Sequence, residues 1–267
     1  MSELLVRSMS GLLYVALIIF SAYWSNGALL FIIFLFSSLA LFEFQKLINY
    51  NSPISFLVFA VLSYQFFNDQ VHKVFHFSLL ALTLITSLYL TYCLIREKRF
   101  PSKRYQRSGI SFFYIVGSGY FILATTRLPG LENNLITLLM YTFVWTNNCF
   151  AYIFGKHLGK KLLFPSISPK KTWEGFWGGV LGCFGLGLLL MFLNTGLVKW
   201  IFPVLAIVII STATIGDLIQ SKFKREAKVK DSGSLIPGHG GFFDRMDSVL
   251  YTAPFIYLIL KLSEYVP

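Results

Sequence analysis

Nine apolar runs, each about long enough to cross the hydrocarbon core of a bilayer, follow one another through this 267-residue chain and restrict its fold more than any other feature. They fall near residues 8–24, 28–45, 53–67, 76–95, 109–126, 135–154, 175–193, 197–215 and 249–262, and the third and ninth are short. Backbone in lipid must satisfy its own hydrogen bonds, and no period-2 alternation of a barrel is present, so the runs read as helices. The expectation is an all-α, polytopic membrane protein with about nine transmembrane helices and a polar site facing the cytoplasm. With 55% hydrophobic and 13% charged residues, the chain is too apolar for a soluble domain of its length. The first run follows Arg7 with no small-residue cleavage site before the second, so it reads as a retained span. Cys93, Cys149 and Cys183 lie inside apolar runs at no metal-like spacing and read as small buried hydrophobes, not as a disulfide framework.

Charge orients the chain. If the N-terminus is cytoplasmic, 19 of the 23 Lys and Arg residues fall on the inside, chiefly in segments 96–107, 155–174 and 216–248. Only Lys73, Arg127, Lys199 and Lys261 fall outside. By the positive-inside rule this predicts a multi-pass protein of a bacterial inner membrane, with its N-terminus and polar loops in the cytoplasm. The net charge of +11 is spread over loops that flank spans, which topology and anionic lipid headgroups explain without nucleic acid as a partner.

Two inside segments differ from ordinary connections, and both belong to a C-terminal transmembrane region, 135–267, that follows an N-terminal one, 1–134. The first runs from Asn147 to Gly175 and sets Lys170 and Lys171 between Pro169 and a helix start, where Ser168 or Thr172 can cap and Glu174 falls in the first turn. Paired cations beside a helix N-terminus suit phosphate, although a positive-inside stop before a capped helix gives the same pattern. The second, Asp217 to Asp247, gathers five acids and six bases. Carboxylates at membrane level are costly and mark sites or pathways. Asp244 and Asp247, three apart, share a helix face and can converge on a hard divalent cation. Between the charges lies Pro237-Gly238-His239-Gly240-Gly241, whose glycines allow backbone N–H groups to approach a phosphate closely. Acids for a metal, bases for phosphates and no placed nucleophile together suit transfer at phosphorus. The small-residue pairs Gly175/Gly179 and Gly178/Gly182 serve packing within one chain or a homodimer equally well.

The stretch SKFKREAKVKDSGSLIPGHGGFFDRMD, 221–247, resembles the signature of the phosphatidate cytidylyltransferase (CDP-diacylglycerol synthase) family, and ISPKKTWEG, 167–175, and AYIFGKHLGK, 151–160, resemble further family motifs in the same order. The detailed resemblance covers 145–250. It implies conversion of CTP and phosphatidic acid to CDP-diacylglycerol and pyrophosphate, with Mg2+ and a second cation as candidate cofactors. It implies catalytic roles for Asp231, Asp244, Asp247, Lys228 and Arg245, and metal binding by Asp217, Asp244 and Asp247. Substrate contacts are implied for Ser168, Lys170, Lys171, Ser221, Lys224, Arg225, His239, Gly240 and Gly241. Two positions depart from the pattern: Asn148, ahead of the Ala151-Tyr152 pair, and Gln220 stand where the resemblance leads one to expect acids. A protein that binds lipid or nucleotide without turnover is the alternative these amides keep open, and a transporter is a third reading.

Overall fold

The computed structural model describes residues 3–128, 134–193, 201–236 and 240–263. Nine long helices account for most of these: α1 (Glu3–Trp24), α2 (Asn26–Leu47), α3 (Pro53–Phe67), α4 (Lys73–Ile95), α5 (Arg104–Arg127), α6 (Leu135–Leu158), α7 (Trp173–Phe192), α8 (Ile201–Glu226) and α9 (Phe243–Ser263). Each apolar run in the sequence falls on one of them, except that residues 197–200 of the eighth run, Lys199 included, lie outside the described residues. By length and composition α2, α4, α5, α7 and α8 can cross a membrane, with shorter apolar helices at Met9–Trp24 and α3. A short antiparallel hairpin, β1 (Leu162–Phe164) and β2 (Ser168–Thr172), joins α6 to α7.

Local chemistry sets several boundaries. The Ser25 hydroxyl accepts the Ala28 N–H at 3.0 Å to cap α2, and Pro53 opens α3 where a missing N–H costs nothing. Thr172 caps α7 by accepting the Gly175 N–H at 3.1 Å, while the Glu174 carboxylate accepts the Lys160 N–H at 3.0 Å, tying the hairpin's start to the helix.

The helices run up and down, and polar contacts identify the two ends. At one, Arg127 closing α5 pairs with Asp69 at 3.0 Å and donates to the Phe66 carbonyl at the end of α3, while Asn134 before α6 donates to the Ala22 carbonyl near the end of α1. At the other, Arg107 early in α5 donates to the Asn49 carbonyl after α2, and Glu226 ending α8 accepts the Phe100 N–H after α4. Lys73, Arg127 and Lys261 all belong to the first end, and the three basic segments read in the sequence belong to the second.

α5 is the most buried of the five helices able to cross a membrane and carries a π-helical stretch, Ile110–Val116. α6 packs closely on α7 and α8 on α9, while α9 also packs against α2 and α5, so the two halves of the chain interlock. The outward faces stay apolar, as with Leu82, Ile85 and Leu88 on α4 and Trp177, Leu181 and Leu188 on α7, which is the surface lipid tails require.

The glycines of α7 are used inside the chain. A Cβ at Gly178 would come within 2.4 Å of Phe154, at Gly179 within 2.4 Å of the Asn147 Oδ1, and at Gly182 within 2.5 Å of the Phe150 ring. Small residues let the α6 and α7 backbones approach, and van der Waals contact follows from that approach. A Cβ at Gly175 would likewise stand 2.7 Å from the Ala151 carbonyl oxygen, so all four of these glycines pack α7 on α6.

Candidate active site

A cavity of about 410 Å3 opens where the C-terminal ends of α6 and α8 meet the hairpin and the N-terminal turns of α7 and α9. Helix connection lengths bring these ends together: α6 and α8 finish on the side where α7 and α9 begin. The cavity has an apolar wall, with Tyr152, Leu163 and Phe176, and a charged wall.

Lys170, Lys171, Asp217, Lys224, Asp231, Asp244, Arg245 and Asp247 all line this cavity, so eight of the residues singled out in the sequence converge from four elements. Lys171 on β2 reaches across to Asp217 on α8, with the ammonium 2.5 Å from Oδ2. The Ser221 hydroxyl, one turn after Asp217, donates to its other oxygen at 3.4 Å. Asp247 is buried and accepts the Ser248 N–H at 2.6 Å. It sits in the second turn of α9, ahead of the apolar run 249–262. Burial, and then the neighbouring Asp217 charge, hold its carboxyl above the usual carboxylate range.

Asp244 has a different environment. Oδ1 accepts from the Lys224 ammonium and the Gln220 side-chain amide, both at 2.7 Å, and Oδ2 accepts from the Ser232 N–H at 2.8 Å, the Ser232 hydroxyl at 2.9 Å and the Gly241 N–H at 3.0 Å. Both oxygens are therefore filled by protein donors. Gly240 has φ of +80°, and a Cβ there would stand 2.8 Å from the same carboxylate, so the glycine is required by conformation and by space. Burial opposes the Asp244 charge, but Lys224 and these donors win, and its carboxyl is held below the ordinary value.

Gln220 is almost fully buried and its Nε2 donates to Asp244. A carboxylate could not make that bond, because an ionised acid only accepts. Asn148 also lines the cavity, and its Oδ1 accepts from Asn147 at 3.4 Å.

Other residues of the sequence set lie elsewhere. Arg225 and Lys228 line a second cavity of about 730 Å3 with Arg99 and Arg107: at 100° per residue Arg225 leaves the face that 217, 220 and 224 share, and Lys228 lies beyond the end of α8 at Glu226, where its φ of +58° turns the chain out of the helix. Arg225 donates to the Ile167 carbonyl at 3.2 Å and so anchors the hairpin from behind. Ser168 begins β2 outside the first cavity. Gly241 is buried in the loop before α9. His239 lies outside the described residues.

Sequence reasoning passed over Glu43, near the end of α2. It is 2% exposed, accepts the Phe243 N–H at 2.9 Å and lies 3.1 Å from the Ser232 hydroxyl, whose one proton it shares with Asp244. The available signal was an acid inside the apolar run 28–45, which by itself marks a position of interest.

Among the described residues no group of three or more His, Cys, Asp and Glu side chains is gathered for a metal. Asp217 and Asp247 form a smaller donor set, two carboxylates of like charge with a lysine ammonium resting on one of them. Mg2+ characteristically takes one or two carboxylates, keeps several waters and completes its shell with substrate phosphates, so a set of this size fits it.

A model of the cytidylyltransferase family matches residues 5–263 of the chain. A phosphatidate cytidylyltransferase of Staphylococcus epidermidis is 34% identical over 263 residues, covering 96% of this chain and 98% of that protein. Those of Staphylococcus saprophyticus and Staphylococcus aureus are each 33% identical at the same coverage.

Proposed function

The chain belongs to the cytidylyltransferase family, and on that premise we propose that the cavity at the joined ends of α6, α7, α8 and α9 is where it unites CTP with phosphatidate. The protein is a CTP-dependent nucleotidyltransferase of the phosphatidate cytidylyltransferase kind, an enzyme of phospholipid synthesis. A phosphate oxygen of phosphatidate attacks the α-phosphorus of CTP, the bond from that phosphorus to the bridging oxygen breaks, and pyrophosphate leaves, giving CDP-diacylglycerol. The observation that carries this assignment is the meeting of carboxylates and cations from four separate elements around one cavity that also has an apolar wall.

Lys170, Lys171 and Arg245 offset the charge of the triphosphate and of the pyrophosphate leaving group. Asp217 and Asp247 would hold a magnesium ion, whose chemistry there would be to offset part of the phosphate charge. Asp244 acts through the backbone: its five hydrogen bonds fix the glycine-rich loop and keep the Lys224 ammonium in place. Asp231 completes the acidic rim. Tyr152, Leu163 and Phe176 offer the lipid substrate an apolar approach.

All nine helices cross the membrane in this reading, with the cavity end in the cytoplasm where CTP is made available. The concentration of basic segments at that end supports the orientation. Gln220 favours a working site over an inert one, since its amide serves Asp244 and is no degraded metal ligand.

The test is turnover by the purified protein given CTP and phosphatidate, with and without magnesium. Magnesium-dependent CDP-diacylglycerol is the expected product. Binding of both substrates without product at any magnesium concentration would make the protein a non-catalytic binder.

A further inference from the structure

Glu43 does not line the cavity, yet it touches both sides of the loop that does. Its Oε2 accepts the N–H of Phe243, the first residue of α9 and 200 positions away in sequence. The first N–H groups of a helix have no partner within it, so α9 receives an N-terminal cap from another helix. The same Oε2 meets the hydroxyl of Ser232, whose N–H and hydroxyl also reach Asp244.

The loop backbone closes directly on this carboxylate. A Cβ added at Gly233 would stand 2.4 Å from Oε1, and one added at Gly241 would meet both Oε2 and the Ser232 hydroxyl. A side chain at either place would have to push the Glu43 carboxylate aside. The neighbouring Phe44 ring packs edge-on against Phe243 and Phe223, which fixes α2 to α8 and α9 at the same level.

We propose that Glu43 is a positioning residue for the transfer reaction, a clamp from the N-terminal half that joins the two sides of loop 231–243 so that Ser232 and Gly241 hold Asp244, and Asp231 and Arg245 face the cavity. The proposal rests on the assignment of that cavity as the catalytic one. An acceptor at this point is what the loop needs, so glutamine, which keeps one oxygen, serves where alanine does not. Displacing the groups that orient a reacting centre by an ångström costs on the order of 100-fold in rate, and loss of the clamp acts at that scale.

The experiment compares Glu43→Gln, Glu43→Ala, Gly233→Ala and Glu43→Ala/Gly233→Ala, each as full-length protein purified in detergent, by CTP and phosphatidate kinetics per folded molecule and by the rate of tryptic cleavage after Lys228 and Lys230. Glu43→Gln is expected to stay within about three-fold of the parent, and Glu43→Ala to lose at least ten-fold in kcat/KM, with faster cleavage. Gly233→Ala is expected to be impaired alone, and the double variant no worse than Glu43→Ala, since the three atoms nearest the added Cβ all belong to Glu43. Parent kinetics and parent cleavage in Glu43→Ala overturn the proposal, as does a loss confined to thermal stability. The cleavage readout is independent of turnover: faster cleavage in Glu43→Ala with an inactive parent keeps the clamp and removes the assigned reaction, whereas equal cleavage removes the clamp.

Discussion

The Lys171 ammonium rests 2.5 Å from the Asp217 carboxylate, joining β2 to α8 across the mouth of the cavity. Both side chains are only partly buried, at 25% and 33% exposure, so the pair is screened and exchangeable, not a fixed strut. A lysine that occupies the carboxylate a cation would use has two consequences for kinetics.

Lys171→Ala is expected to raise the KM for CTP about ten-fold, by removing a cation from the triphosphate, and at the same time to lower the magnesium concentration giving half-maximal rate, by freeing Asp217. Lys170→Ala, with no such carboxylate partner among the described contacts, is expected to raise KM without changing the magnesium requirement. Initial rates over a grid of CTP and magnesium concentrations separate the two. An identical response in both variants would remove the competition between Lys171 and the metal.

Asp217→Asn and Asp244→Asn are expected to fail differently. Asp217→Asn should lose roughly 100-fold in kcat with little change in thermal stability, since the residue is partly exposed and serves the cavity. Asp244→Asn leaves the Lys224 ammonium without its anion at a site where the two side chains are 13% and 8% exposed, a loss of roughly 3–5 kcal/mol in stability. Thermal unfolding and rate measured on the same preparations make the comparison. Equal destabilisation by both would contradict the division of roles.

Gln220→Glu is expected to lower activity and not to improve magnesium binding. A glutamate there would replace the donor to Asp244 with a second carboxylate at hydrogen-bond distance, and two like charges that close and that buried repel strongly. Gln220→Met, of similar shape and uncharged, should be milder than Gln220→Glu. A lower magnesium requirement in Gln220→Glu would restore the reading of this position as a vacant ligand.

Single cysteines at Ser102, Ser166 and Ser234, in a background with Cys149→Ser, are expected to react with an impermeant thiol reagent only from the cytoplasmic side. All three serines are exposed at the cavity end, whereas Cys93 and Cys183 are buried and stay silent. Reaction of any one from the opposite side would overturn the nine-span orientation.

Gly179→Ala is expected to destabilise the protein by about 1–3 kcal/mol, because its methyl group would fall 2.4 Å from the Asn147 side-chain oxygen between two closely packed helices. Thermal melting in detergent reads the effect, and an unchanged midpoint would contradict the close approach of α6 and α7.

The amino-acid sequence by itself determined the helices and the chemistry available at one end of them. Lipid leaves a backbone few alternatives, so each apolar run became one helix as far as its residues are described, and the described lysines and arginines of the loops matched the two ends that the contacts define. The convergence of Lys170, Lys171, Asp217, Lys224 and Asp247 was legible because acids and bases at membrane level are too costly to be scattered without use. What each does was decided by the tertiary structure. Asp244 and Asp247 look equivalent three residues apart on one helix, yet the loop brings five donors to the first and burial beside Asp217 to the second. Arg225 and Lys228 share the signature with Lys224 but turn away from it, Arg225 by helical rotation and Lys228 because α8 has ended two residues before it. The roles of Gln220 and Glu43 were beyond reach for a related reason. The meaning of a buried polar group lies in its partner, and their partners are 24 and 200 residues away, brought to them only by the packing of α8 and α2 against α9.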